Sequence, residues 1–176
     1  TAEQMAPIVL WIDELEKGLG PAGGGGDAGL SSRIFGTFLS WMQDKPDGVF
    51  LVATANDVSK LPPEMLRKGR FDEIFFVDLP DANDRERILA LHLDKRGRDP
   101  VSFDLTALAA ATEGFSGSEL EQIVVSGLYA AYADGGELAT EHLQREIAET
   151  RPLSSVSGEK IAQLRAWAEA RALPHA

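Results

Sequence analysis

Two adjacent acids follow an apolar run near the start of the sequence, and side chains of this type can hold a metal ion or accept a proton. Asp13 and Glu14 come directly after the string IVLWI. One carboxylate in this place can hold Mg²⁺ through water, and the other can accept a proton from water that attacks a phosphoryl group. Short hydrophobic strings that end in solvated acids are also common. On this string alone, both interpretations stay open.

A neutral polar residue follows the next apolar run, FLVATA. The side-chain amide of Asn56 can orient an attacking water or contact a terminal phosphate without adding charge. Asn-Asp is also favourable in turns, and by itself a turn is the simpler interpretation.

Two arginines form the third group, in the string RKGR at residues 67–70. Gly69 lets the backbone turn, so that the guanidinium groups of Arg67 and Arg70 can both project outward. Such cations stabilise charge on a transferring phosphate. Local salt bridges to Glu64, Asp72 or Glu73 are an equally good local interpretation.

The elements that position these groups follow from the apolar pattern. Runs without alternation at 8–12, 49–55 and 73–79 predict strands that are buried on both faces of a parallel sheet. Helical spacing predicts a helix over 31–43, and a short helix is expected over 61–67. This order is an α/β pattern, in which ligands bind at the carboxyl ends of the strands.

Past Pro80 the pattern is helical only. The spacing predicts helices over 83–96, 104–112, 117–133, 140–149 and 158–172. Asn83 with Glu86 indicates the start of the first of these, and Ser116 with Glu119 forms a capping-box pattern. We therefore predict an α/β domain over 1–81 and an all-α domain over 82–176.

The composition of the chain argues against several classes of function. The chain has 176 residues, of which 44% are hydrophobic and 26% charged, with a net charge of −11, so its surface should repel nucleic acid and anionic membranes. The lack of Cys excludes disulfides, thiolate metal sites and cysteine nucleophiles. No apolar run approaches the roughly 20 residues of a membrane span, and we expect a cytoplasmic protein. The three histidines show no ligand spacing.

Four strings taken together resemble the AAA (AAA+) family of ring-forming ATPases. IVLWIDE, FLVATAND, LPPEMLRKGRFDEIFFVDLPD and GFSGSEL occur in the family's order and approximate spacing. The resemblance implies part of a parallel-sheet P-loop NTPase core followed by a helical lid. The closing stretch RPLSSVSGEKIAQLRAWAEARA is similar to the tail of a bacterial and plastid AAA subgroup.

The resemblance also implies roles for the acids and the amide. Asp13 matches the Walker B aspartate that holds Mg²⁺ through water, Glu14 the glutamate that activates water, and Asn56 the residue called sensor 1.

Four further residues have family counterparts. Arg67 and Arg70 match the two arginine fingers that reach the next subunit's nucleotide site. Gly117 and Ser118 match the small residues that approach the nucleotide base.

One departure from the family bears on function. The sequence has no G-x-x-x-x-G-K-[ST] string, and the glycine run at 23–26 lacks the required lysine. We therefore expect a fragment of an ATPase module that cannot complete the site alone. The intact form is expected to bind and hydrolyse ATP with Mg²⁺ in a homo-oligomeric ring that remodels a macromolecular substrate, for which protein is a candidate.

Two rival functions remain. The fold could serve as a non-catalytic interaction or assembly module without nucleotide turnover. An acidic Mg²⁺-dependent nuclease built on Asp13 and Glu14 is the weaker rival, because the sequence offers no further positioned acids and no basic groove.

Overall fold

The computed structural model describes residues 2–19, 28–45, 47–67, 69–171 and 173–174. Its contacts divide the chain into two compact units, Thr1–Phe75 and Phe76–Ala176. The first is α/β with a parallel sheet and the second is helical, as the sequence predicts. The glycine run at 23–26 lies outside the described residues.

The first unit is built on two parallel strands. Its elements are β1 (Ile8–Ile12), α1 (Leu15–Leu19), α2 (Ala28–Asp44) and β2 (Val49–Ala53), with 3₁₀ helices at Glu3–Met5, Val58–Lys60 and Pro63–Leu66. β1 pairs with β2 in a register that runs from Ile8 opposite Val49 to Ile12 opposite Ala53. The prediction of a helix over 31–43 is confirmed by α2. The second strand ends two residues earlier than predicted. The short helix predicted over 61–67 corresponds to the 3₁₀ helix Pro63–Leu66.

The prediction that both faces of these strands are buried is wrong. Side chains of β1 alternate between half-buried and exposed, and Val9, Trp11 and Phe50 are each more than 60% exposed. The opposite face, including Leu51 and Ala53, packs on a core of α1, α2 and the 3₁₀ helix Pro63–Leu66. Continuous apolar sequence did not distinguish the covered face from the open one, because apolar residues occupy both.

The strand predicted over 73–79 does not form. The sheet of the described residues has two strands, and Phe75 and Val77 are exposed by 58% and 74%. The backbone N–H of Phe76 instead donates to the carbonyl of Pro174 at 3.0 Å. The apolar residues at 73–79 therefore do not join the ladder of β1 and β2.

Within the described residues, the second unit contains six α-helices and a 3₁₀ helix at Pro100–Ser102. The α-helices are α3 (Ala82–Asp94), α4 (Leu105–Ala111), α5 (Gly117–Ala133), α6 (Thr140–Glu149), α7 (Leu153–Val156) and α8 (Gly158–Glu169). The predicted helices 117–133 and 140–149 match α5 and α6 in full. The other three predictions agree within a few residues, and the short α7 was not predicted.

The core of the second unit lies around α5, which packs on α3 and α6. Leu89, Leu120 and Leu143 are fully buried there. Ser116 and Glu119 form the predicted capping box at the start of α5. For α3 the cap is Asp81, which accepts from the backbone N–H of Asp84 at 2.9 Å, so the cap predicted at Asn83 is two residues too late.

Among the described residues, none of the helices has both the length and the apolar content that crossing a membrane requires.

Candidate functional site

The carboxyl ends of β1 and β2 meet at one edge of the sheet, and the pairing continues past both strands. The backbone N–H of Thr54 donates to the carbonyl of Ile12 at 3.0 Å, and Leu15 donates to the carbonyl of Thr54 at 2.9 Å. These two bonds enclose the turn that contains Asp13 and Glu14. The acids and the end of β2 are therefore held side by side.

Asp13 is exposed at this edge. The Thr54 hydroxyl donates to Asp13 Oδ1, and it accepts a hydrogen bond from the backbone N–H of Glu14 at 3.1 Å. A single hydroxyl thus contacts both acidic residues.

Glu14 has a left-handed backbone, with φ of 51°. This region is uncommon for residues other than glycine, and holding a side chain there costs about 1–3 kcal/mol. Glu14 is the one non-glycine residue with positive φ in the described part of the chain. Such strain persists only where surrounding contacts fix the backbone, and it concentrates at functional sites.

Both oxygens of the Glu14 carboxylate are engaged. Oε1 accepts from Asn56 Nδ2 at 3.1 Å, and Oε2 lies 2.7 Å from Lys17 Nζ. The hydrogen bond and the charge of Glu14 raise the pKa of Lys17 above its usual value. Lys17 is 68% exposed, so this ion pair contributes little stability.

Glu16 is a buried acid beneath this site, and only 5% of its surface is exposed. Its Oε1 accepts from the backbone N–H of Asn56 at 3.1 Å, while its Oε2 is buried without a hydrogen-bond partner among the described residues. Asn56 is therefore fixed twice, through its backbone by Glu16 and through its side chain by Glu14.

The structure thus brings together three of the residues selected from sequence: Asp13, Glu14 and Asn56. Sequence reasoning missed Thr54 and Glu16. The available signal was that Thr54 precedes Asn56 by two residues, a spacing at which the side chains of a strand lie on one side. Glu16 carried no signal, because a third acid in DELE is expected to be solvated.

The two arginines differ from each other. Arg67 is exposed after the 3₁₀ helix Pro63–Leu66, whereas Arg70 is half-buried and its Nη1 donates to the carbonyl of Leu39 at 2.6 Å. The expected turn is present, because Gly69 has φ of +90°. Because Arg70 is half-buried, its charge needs an acceptor, and it takes a carbonyl of α2. Within the described residues, neither arginine forms an ion pair.

Gly117 and Ser118 open α5 in the second unit. The Ser116 side chain caps this helix, and the hydroxyls of Ser116 and Ser118 are 3.1 Å apart. Ser118 is exposed and Gly117 is half-buried.

The chemistry of the donor set is compatible with Mg²⁺ held through water. Mg²⁺ prefers oxygen ligands and usually keeps several waters, with one or two carboxylates and substrate phosphates completing its shell. Asp13 offers an exposed carboxylate with one oxygen oriented by Thr54. No group of three or more His, Cys, Asp or Glu residues in the described part of the chain is arranged to enclose a metal.

Comparison with known proteins gives two family matches. A family model described as ATPase family associated with various cellular activities (AAA) matches residues 1–79, and one described as AAA+ lid domain matches residues 102–144. Together the two matches cover more than half of the chain.

Individual relatives agree with these matches. An uncharacterized AAA domain-containing protein, ycf46, of Pyropia yezoensis is 43% identical over 95% of this chain and 34% of its own length. The proteasome-activating nucleotidase of Aeropyrum pernix is 36% identical over 79% of this chain and 35% of its own length. The ATP-dependent zinc metalloprotease FtsH of Aquifex aeolicus is 33% identical over 84% of this chain and 24% of its own length. The chain spans about a third of the length of the first of these relatives.

Proposed function

The chain belongs to the AAA family of ATPases, and from this premise we propose that it carries the hydrolytic half of an ATP site. In this proposal the full-length gene product binds and hydrolyses ATP with Mg²⁺ in a homo-oligomeric ring and uses the energy to remodel a macromolecular substrate. The contact between Asn56 Nδ2 and Glu14 Oε1, 3.1 Å long at the shared edge of two parallel strands, carries the proposal.

Glu14 is the proposed general base. Its carboxylate accepts a proton from water as the water oxygen forms a bond to the γ-phosphorus, and the bond from that phosphorus to the ADP oxygen breaks. Glu14 Oε1 faces a neutral amide and Oε2 faces Lys17. Each oxygen has a second lone pair, so either can accept a hydrogen bond from water while it keeps its present partner.

Asp13 and Asn56 have supporting roles. Asp13 would hold Mg²⁺ through water, and the bound ion would supply charge neutralisation at the phosphates. Asn56 keeps the Glu14 carboxylate oriented, and its amide can also contact the attacking water. Being neutral, Asn56 does so without adding negative charge next to two acids.

Arg67 and Arg70 are the proposed arginine fingers toward a neighbouring subunit. Arg67 is exposed and can reach a neighbour without losing a partner. Arg70 must first release the Leu39 carbonyl, so we assign Arg67 the larger share of transition-state stabilisation. Gly117 and Ser118 are proposed to contact the nucleotide base, a role that rests on the family resemblance.

Titration calorimetry with Mg-ATP tests the site. We would compare this chain with the full-length gene product, and each with its Asp13→Asn variant, in Mg²⁺ and in EDTA. The proposal expects the full-length protein to bind, with an affinity that falls in EDTA and in Asp13→Asn. Binding by neither protein would favour an interaction module without nucleotide turnover.

Mixed rings test the arginine assignment. Arg67→Ala in the full-length protein should retain ATP binding and lose about 10³-fold or more in hydrolysis rate. Mixing it with Glu14→Gln subunits, which supply an intact Arg67, should restore part of the rate. An unchanged rate in Arg67→Ala alone would remove this residue from the site.

A further inference from the structure

The Thr54 side chain lies between the two acids of the site, and four hydrogen bonds join this residue to the turn that holds them. Its backbone bonds to Ile12 and Leu15 on either side of the turn. Its hydroxyl accepts from the Glu14 N–H at 3.1 Å and donates to Asp13 Oδ1. The backbone bonds fix the ends of the turn, and the hydroxyl fixes its centre.

The centre of this turn needs such a contact. Glu14 has φ of 51°, a conformation that a residue with a side chain leaves readily when nothing fixes it. Relaxation to negative φ would rotate the peptide between Asp13 and Glu14. It would also move the Glu14 carboxylate away from Asn56, whose backbone is separately tied to Glu16.

We propose that Thr54 is a positioning residue for ATP hydrolysis, whose hydroxyl sets the orientation of Asp13 and Glu14 together. The role requires a group that donates and accepts at once, which a hydroxyl does and a methyl group does not. In this role Thr54 acts through its contacts with the two acids. This inference rests on the proposed ATPase function.

The matched variants are Thr54→Val and Thr54→Ser. Valine keeps the branched shape and the backbone bonds of Thr54 while it removes the hydroxyl, and serine keeps the hydroxyl. Thr54→Val in the full-length gene product should lower kcat by about tenfold to a hundredfold, because small displacements of reacting groups have effects of this size. KM should change by less than about threefold, since the lost orientation acts in the transition state. Thr54→Ser should regain most of the wild-type kcat.

Hydrogen exchange at the Glu14 amide, measured in this 176-residue chain, tests the contact between Thr54 and Glu14 independently of ATP turnover. Removing the acceptor in Thr54→Val should speed exchange at this amide by about tenfold, with Thr54→Ser close to wild type. If Thr54→Val fails to fold by circular dichroism, Thr54→Ala replaces it in both measurements.

The outcomes distinguish the role of Thr54 from the proposed ATPase function. Slow turnover in Thr54→Val, with rescue by Thr54→Ser and faster exchange at Glu14, supports the inference. Wild-type kcat in Thr54→Val overturns it and leaves the ATPase proposal intact. A wild-type protein that hydrolyses no ATP overturns the proposed function and this role of Thr54 with it, whatever the exchange rates.

Discussion

Replacing Asn56 by Asp tests the geometry of the site without requiring any activity. Asn and Asp have nearly the same shape, so the variant places a second carboxylate where an amide now donates to Glu14 Oε1 at 3.1 Å. Two unit charges at that distance repel by about 1.3 kcal/mol in water and by about 5 kcal/mol at an effective dielectric constant of 20. Asn56 is exposed, so the lower end of this range applies.

The control variant is Asn56→Ala, which loses the hydrogen bond without adding charge. It should lower the free energy of unfolding of the first unit by about 1 kcal/mol. Asn56→Asp should lower it by about 1–2 kcal/mol more at pH 7 and low salt. The added cost should shrink in 1 M salt, where the Debye length is about 3 Å, and in acid, where carboxylates take up protons.

Urea unfolding followed by tryptophan fluorescence measures these differences. Trp11 and Trp41 lie in the first unit and Trp167 in the second, so a Trp167→Phe background confines the signal to the unit of interest. If Asn56→Asp and Asn56→Ala have equal stability at pH 7 and low salt, the side chains of Asn56 and Glu14 are not adjacent, and the site as described is wrong.

Further predictions concern side-chain packing, helix propensity and protonation. A Cβ on Gly127 would lie 2.7 Å from Cδ2 of the buried Leu143, so Gly127→Ala should destabilise the protein by about 1–3 kcal/mol. Gly36 in α2 has no atom within 4 Å of such a Cβ, so Gly36→Ala should stabilise the protein by about 0.5–1 kcal/mol through helix propensity. Chemical denaturation of both variants measures the two effects. Leu120→Ala removes a fully buried side chain and should cost about 2–5 kcal/mol by the same measurement. Burial lowers the pKa of His92 below its usual value of 6.5, so the unfolded chain binds more protons at this residue. The stability of the protein should therefore rise with pH up to about 6.5 and then level. Urea midpoints from pH 5 to 7.5 should rise less steeply in His92→Gln than in the wild type, and equal slopes for the two proteins would contradict this.

The helical unit was predictable because its signals are local. The helix of residues 117–133 starts at a capping box, Ser116 with Glu119, whose partners are three residues apart. Periodicity then indicated which side chains are buried, as for Ile123 and Val124. The same spacing also predicts a core position for Tyr132, and this is wrong, because Tyr132 is 84% exposed while the adjacent Ala131 is the buried residue of that turn.

The site was predictable only in part, because its contacts join residues about 40 positions apart. Asp13, Glu14 and Asn56 could be selected because each follows an apolar run. The roles of Thr54 and Glu16 depend on the register between β1 and β2, which neither strand encodes by itself. The strand expected over 73–79 failed for the same reason, since an apolar run does not specify a pairing partner.

ATP binding and turnover by the full-length gene product, measured side by side for the wild type and Glu14→Gln, tests the central proposal most directly. Glutamine keeps the size of Glu14 and its contact with Asn56 but cannot take a proton from water. We predict that Glu14→Gln binds Mg-ATP with near wild-type affinity while its hydrolysis rate falls by at least about a hundredfold. Turnover at the wild-type rate in Glu14→Gln would contradict the assignment of Glu14 as the base, and with it the proposed hydrolytic site.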